Sequence, residues 1–216
     1  MPPVPWSEAE RHALAATFRQ VGPDAPTLCE GWRSRDLLAH VELRERAPWR
    51  QGLDKLGKPR PGEEPRQSAL AARAATPAGY AALVDTFEEA AGLRPVRLLK
   101  DRANLIEYVV HHEDLRRAAD TPAPPRSLPA AMQEAIFEQL RGFATLALRR
   151  SPTGVVLVDT AGGRRLVARR GADSVAVAGT PLELALLVTG RSPHAQVELT
   201  GRPAEVAAFR EFLAAS

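Results

Sequence analysis

The stretch Asn104–Ala118, NLIEYVVHHEDLRRA, decides how the chain is read. At about 100° per residue, Glu107 and His111 differ by roughly 40° and share one helix face. Asp114 lies on the same face, about 20° to the other side of Glu107, and Ala103, Val110 and Ala118 lie on that face too. One helix therefore carries a carboxylate, an imidazole and a second carboxylate among apolar and small residues. Such groups are costly to bury alone, so the pattern asks for pairing or for a metal. His112 points about 100° away from His111 and matches Glu107 poorly. His111 is the better ligand candidate.

Working outward, the first two thirds of the chain read as helix. Ser7 followed by Glu10 forms a capping box that opens a helix ending near Val21. Ser34 is the expected N-cap of a second helix, with Asp36 in its first turn, running through LLAHVELRER toward Leu56. GKPRPGEEP, residues 57–65, is a loop. A third helix covers 67–91 with an interruption at Pro77 and Gly79, a fourth covers 101–119, and TPAPPRSLP is a stiff connector. A fifth helix runs from Pro129 to Arg149.

After Ser151 the texture changes. GVVLVDT, RRLVARR and DSVAVAG, separated by AGG and RGAD turns, predict a three-stranded meander. PLELALLVTG predicts a short helix ending at Gly190, AQVELTG a fourth strand, and PAEVAAFREFLAA a closing helix. The expected class is mainly α with α+β. A helical bundle spans 1–150, and a small α+β domain spans 151–216.

Composition narrows the function classes. The chain has 216 residues, Lys+Arg 29 against Asp+Glu 26, net charge +3 and a pI near 9.5. Its basic residues are nearly all arginine and stand beside acidic ones, as in HHEDLRRAAD, and aromatics make up only 5%. That describes a solvated surface rather than a nucleic-acid face, so no nucleic-acid partner is expected. No apolar run reaches the ~18 residues of a membrane span, and the N-terminus lacks a leader pattern. A single cysteine, Cys29, excludes an intramolecular disulfide and suits a reducing compartment. The expected location is cytoplasmic.

Five histidines are present. His12 and His194 read as surface residues. His40, in LLAHVELRE, can face the Glu107/His111 pair from another helix. Three protein ligands that leave a position for water or substrate are the arrangement of a catalytic zinc. The competing reading is a surface ion pair, with His40 satisfied at a helix contact. Cys29 reads as a small half-buried residue rather than a ligand or nucleophile. Arg116 and Arg117 read as a solvated basic face near a helix end.

The run GPDAPTLCEGWRSRDLLAHVELRER, followed some sixty residues later by EYVVHHEDLRRA, resembles the DinB-like superfamily. Within it the chain is most similar to the mycothiol-dependent maleylpyruvate isomerase group, in particular a metal-binding actinobacterial branch with an HHED-RRA segment. There a tryptophan precedes a D-L-x-A-H segment whose histidine binds metal, matched here by Trp32, Asp36, Leu37 and His40. A Glu-x-x-x-His motif supplies two more ligands, matched by Glu107 and His111. The resemblance implies an N-terminal four-helix bundle, a small C-terminal domain, and a divalent metal, zinc, on His40, Glu107 and His111. Asp36 and Asp114 are the candidates to orient a ligand histidine from behind. Relatives of this kind use the thiol mycothiol as transferases or isomerases.

The leading expectation is a metal-dependent enzyme whose partners are a low-molecular-weight thiol and a small substrate. No catalytic residue and no substrate-binding residue is assigned. The alternative is a non-catalytic metal- or ligand-binding protein with a structural or sensory site. The oligomeric state is left open, a homodimer included.

Overall fold

The computed structural model describes residues 6–46, 64–89, 94–119 and 123–215, with side chains outside 94–103. The expected continuation of the second helix toward Leu56 and most of the 57–65 loop lie outside the described residues. The chain divides into two compact units, Met1–Pro124 and Pro125–Ser216.

In the first unit, α1 spans Trp6–Val21, α2 Ser34–Arg46, α3 Pro65–Arg73, α4 Pro77–Glu88 and α5 Arg94–Arg116. α1 lies along α5, and α2 packs on α3 and α4. The apolar stripes of these helices meet in a core of Leu14, Phe18, Leu37, Leu38, Val41, Val84, Phe87, Tyr108 and Leu115. Phe87 anchors it, edge-on to Phe18 at 6.0 Å and to Tyr108 at 5.7 Å between ring centroids.

The expected interruption at Pro77 is a full restart. The Thr76 hydroxyl accepts from the Gly79 N–H at 3.1 Å, and proline fits the first turn, where no N–H is needed. Gly79 is required there, since a Cβ would fall 2.1 Å from the Arg73 carbonyl oxygen. At the start of α2 the cap differs from expectation. Asp36 reaches back to accept from the Arg33 N–H at 2.9 Å, while the buried Ser34 hydroxyl pairs with Tyr80 Oη at 2.5 Å.

In the second unit, α6 spans Ala130–Ala147, β1 Gly154–Asp159, β2 Arg165–Arg169, β3 Ser174–Gly179, α7 Pro181–Val188, β4 Glu198–Thr200 and α8 Pro203–Ala214. The expected boundary near residue 150 moves to Pro124/Pro125, because α6 packs on α7 and β2. Its buried stripe of Met132, Ile136, Phe137, Leu140 and Ala144 faces that unit, and Gln133 Oε1 accepts from the Leu182 N–H at 3.2 Å.

The sheet is not a meander. Its order is β2-β1-β3-β4, with β1 antiparallel to β2 but parallel to β3. After β2 the chain passes beneath the start of β1 and returns on its other side. Gly154 and Gly171 make this crossing possible, since a Cβ on Gly171 would lie 2.6 Å from the Gly154 nitrogen. RGAD is a crossing, not a hairpin turn. All of α7 is buried, and it closes at Gly190, whose φ of 86° suits glycine. Among the described residues no helix is long and apolar enough to cross a membrane.

Candidate metal centre

His40 projects from α2, and Glu107 and His111 project from α5 one turn apart. Their ligand-capable atoms all lie within 4.8 Å of one another. His111 Nε2 is 3.6 Å from Glu107 Oε2, and the His40 and His111 rings stand 5.2 Å apart at 73°. The loop between α1 and α2 closes one side. Gly31, at φ 75°, turns the chain so that the Trp32 ring lies 5.1 Å from His40. The Leu28 N–H donates to the Asp114 carbonyl at 3.0 Å and ties this loop to α5.

Each histidine is held by its other nitrogen. His111 Nδ1 donates to Asp114 Oδ2 at 2.8 Å, so Nε2, on the side of Glu107, is the nitrogen left to a metal once its proton is released. His40 Nδ1 lies 3.3 Å from Gln67 Oε1, and with the amide oxygen accepting, its Nε2 is likewise left as a base. Carboxylate or amide support behind an imidazole is the usual environment of a metal-ligating histidine. Asp114 is fully buried and receives a second donor, the Cys29 thiol, at 3.2 Å. Cys29, His111 and Asp114 thus form a second close group on the far side of the same imidazole. Cys29 is more than a small half-buried residue. Asp36, the other candidate to orient a ligand, is engaged at the start of α2.

The charges of the cluster are ordered. Burial, with positive His111 and Arg44 nearby, presses His40 down to about 3, so its ring is neutral. Burial alone would raise the Glu107 carboxyl; His111, Arg44 and His40 outweigh it and hold the group at about 2, an anion. Burial opposes a charge on His111, yet Asp114, Cys29 and Glu107 raise its pKa well above the ordinary value. A neutral imidazole, a carboxylate and an imidazole holding an exchangeable proton are a donor set a divalent cation fits.

Two residues that the sequence reading passed over flank the cluster. Arg44, one turn after His40, places NH2 3.3 Å from Glu107 Oε1. Among the described residues, the Nε of Arg44 and the Nε2 of Gln67 are buried without a hydrogen-bond partner. An unmet buried donor costs about 1–3 kcal/mol. The helical period that joins Glu107 to His111 also joins His40 to Arg44. Gln67 comes from a separate helix and carries no local signal.

The remaining candidates are occupied elsewhere. His112 faces α1, where it donates from Nδ1 to Glu10 at 2.7 Å and bonds the Thr17 hydroxyl at 2.8 Å. His12 is exposed beside Glu88, and His194 lies in an exposed short 3-10 turn. Arg116 and Arg117 are not a solvated face. Both pair with the fully buried Glu113, and Arg117 is itself buried.

No protein-family model matches the chain, and no curated protein matches it. Among solved structures it is similar to a mycothiol-dependent maleylpyruvate isomerase, with a TM-score of 0.54 and 16% identity. That match covers 91% of this chain and 93% of the other. A histidine-to-alanine mutant of the isomerase matches over the same shares, with a TM-score of 0.51. At this identity the likeness is one of fold, and it extends across both units.

Proposed function

Taking the isomerase-like fold as premise, we propose that the chain is a metal-dependent enzyme using a low-molecular-weight thiol, with mycothiol the leading candidate. His40, Glu107 and His111 hold the metal, and zinc best matches two imidazoles and a carboxylate. The observation that carries this reading is the convergence of these three donors from two helices, each histidine being supported on its far nitrogen. The reaction belongs to the transferase or isomerase type, acts on a small substrate, and takes place in the cytoplasm, where a lone cysteine stays reduced.

When bound, a divalent cation lowers the pKa of a coordinated thiol, so that the thiolate is available at neutral pH. The chain's own residues prepare that chemistry. Asp114 fixes the ring of His111 and accepts its Nδ1 proton in a hydrogen bond, which keeps Nε2 basic. Gln67 does the same for His40. Arg44 holds one oxygen of Glu107 and joins His111 in keeping the carboxylate ionised. Trp32 covers His40 and limits water on that side. Cys29 is engaged with Asp114, so the reacting sulfur arrives with the thiol cofactor.

Elemental analysis of the purified protein tests the ligand set. We expect one equivalent of divalent metal in the wild type, lost in both His40→Ala and His111→Ala. Metal that survives both substitutions contradicts the assignment. A non-catalytic site would be closed by a fourth protein ligand. It would leave the absorption of the cobalt-substituted protein unchanged on adding thiol, whereas the enzyme reading predicts a new sulfur-to-cobalt band.

A further inference from the structure

We propose that the chain forms a two-fold dimer through the open face of its C-terminal sheet, the occupant of that face being a second copy of the same chain. The two faces of the sheet are unlike. On one, Val155, Leu157, Leu166, Val175 and Val177 are buried where α6, α7 and α8 pack on the strands. On the other, the register aligns two rows across all four strands. Arg165, Val158, Ala178 and Glu198 form the first row, and Val167, Val156, Ala176 and Thr200 form the second. Side chains alternate along a strand, so all eight stand on the side away from the buried set. Their exposure agrees: Val167 is 54% exposed, Arg165, Glu198 and Thr200 are exposed, and the other four are half-buried.

A sheet face left to solvent carries polar residues at its alternate positions. Here the centre of the face is Val156, Val158, Ala176 and Ala178, and charge stands only at the edges, basic on β2 and acidic on β4. Neither Arg165 nor Glu198 has an ion-pair partner among the described residues. The pattern is complementary to itself. A half-turn about an axis between two such sheets, parallel to β1 and β3, preserves strand direction and reverses strand order. Each row then stacks on its own copy. Arg165 of one copy meets Glu198 of the other, Val158 meets Ala178, and Val156 meets Ala176. Large side chains over small ones let two sheets pack about 10 Å apart, with the strands turned about 30° by the twist of each sheet. Opposite charges on the two edges are what a second copy requires, because a two-fold contact brings each edge against the other. Four strands about 4.8 Å apart make a face roughly 15 Å wide. That is small for a permanent interface, so the association is reversible.

Sedimentation equilibrium of the full chain over about 1–300 µM tests this interface. A reversible monomer–dimer equilibrium is expected. Val158→Lys sets a charge in the apolar centre of each copy and should weaken association about tenfold or more. Arg165→Glu and Glu198→Arg each place like charges in contact twice per dimer and should each weaken it about threefold or more. The double variant Arg165→Glu/Glu198→Arg exchanges the two edges and should restore the wild-type equilibrium. The charge exchange stands by itself even where Val158→Lys perturbs folding, since both of its positions are exposed. A monomer throughout the range overturns the proposal. So does a dimer indifferent to Val158→Lys or to either charge reversal, which would lie on another surface, and so does a double variant that associates no better than the single ones.

Discussion

Two fully buried aspartates, Asp159 in the C-terminal unit and Asp114 in the helical unit, do opposite work. Asp159 closes a turn. One oxygen accepts from the Ala161 and Gly162 N–H groups at 2.9 and 3.0 Å, and the other takes Arg164 at 2.8 Å. Asp114 serves side chains: its Oδ2 is shared by His111 and Cys29. The same contrast runs through the two units. In the second, buried Glu183 and Gln133 accept from backbone N–H groups and fix the packing of α7. In the first, buried ionisable groups crowd α2 and α5; among the described residues unmet buried atoms occur in both units, on Arg11, Glu42, Arg44 and Gln67 in the first and on Thr153 in the second. A buried polar group saturated by backbone reads as architecture. One aimed at another side chain, beside further ionisable groups, reads as a site.

The contrast breaks most visibly at the ligands. Glu107→Gln should abolish stoichiometric metal binding, while Cys29→Ser should keep it; elemental analysis of the two variants reads the difference. Metal lost from Cys29→Ser and kept in Glu107→Gln would move the site to the other side of His111. Next in size, Asp159→Ala should destabilise the protein by on the order of 3 kcal/mol, measured by denaturant unfolding, with metal content unchanged. Asp114→Asn should show the reverse balance, weakening metal affinity by roughly 10–100-fold with a smaller loss of stability.

The smallest effect lies in the pH profile of the bundle. Burial raises the Tyr80 hydroxyl to about 12, with Ser34 opposing in part. A neutral phenol is thus favoured by folding: its contribution is complete below the unfolded value near 10 and is lost as pH rises toward 12. Tyr80 should therefore contribute about 2–3 kcal/mol to the fall in stability over pH 10–12, alongside Tyr108, whose hydroxyl is also raised by burial and Glu45. Tyr80→Phe should flatten that decline at a cost of about 1 kcal/mol at neutral pH, from the lost bond to the Phe18 carbonyl. A decline of unchanged steepness in Tyr80→Phe would assign it to other groups.

Much of this was legible in sequence because helical periodicity is local. The spacing of Glu107 and His111 places them on one face whatever they pack against, and the valine-rich runs after Ser151 mark strands. What escaped was tertiary. The apolar stripe of α6 announces burial but not its partner, so the boundary fell some 25 residues late. RGAD looks like a turn, and only the close approach of Gly154 and Gly171 reveals a crossing. Helical reading shows His40 able to face the pair from another helix, the family resemblance singles it out as a ligand, and Gln67 has no signal at all. Cys29 looked incidental because its tie to Asp114 depends on where a loop docks.

X-ray absorption at the metal edge of the purified protein tests the central claim most directly. The account predicts zinc with two imidazole nitrogens and carboxylate oxygen in its first shell, no sulfur before a thiol is added, and one sulfur afterwards. A sulfur ligand in the thiol-free protein would place the metal on Cys29 and contradict the assignment to His40, Glu107 and His111.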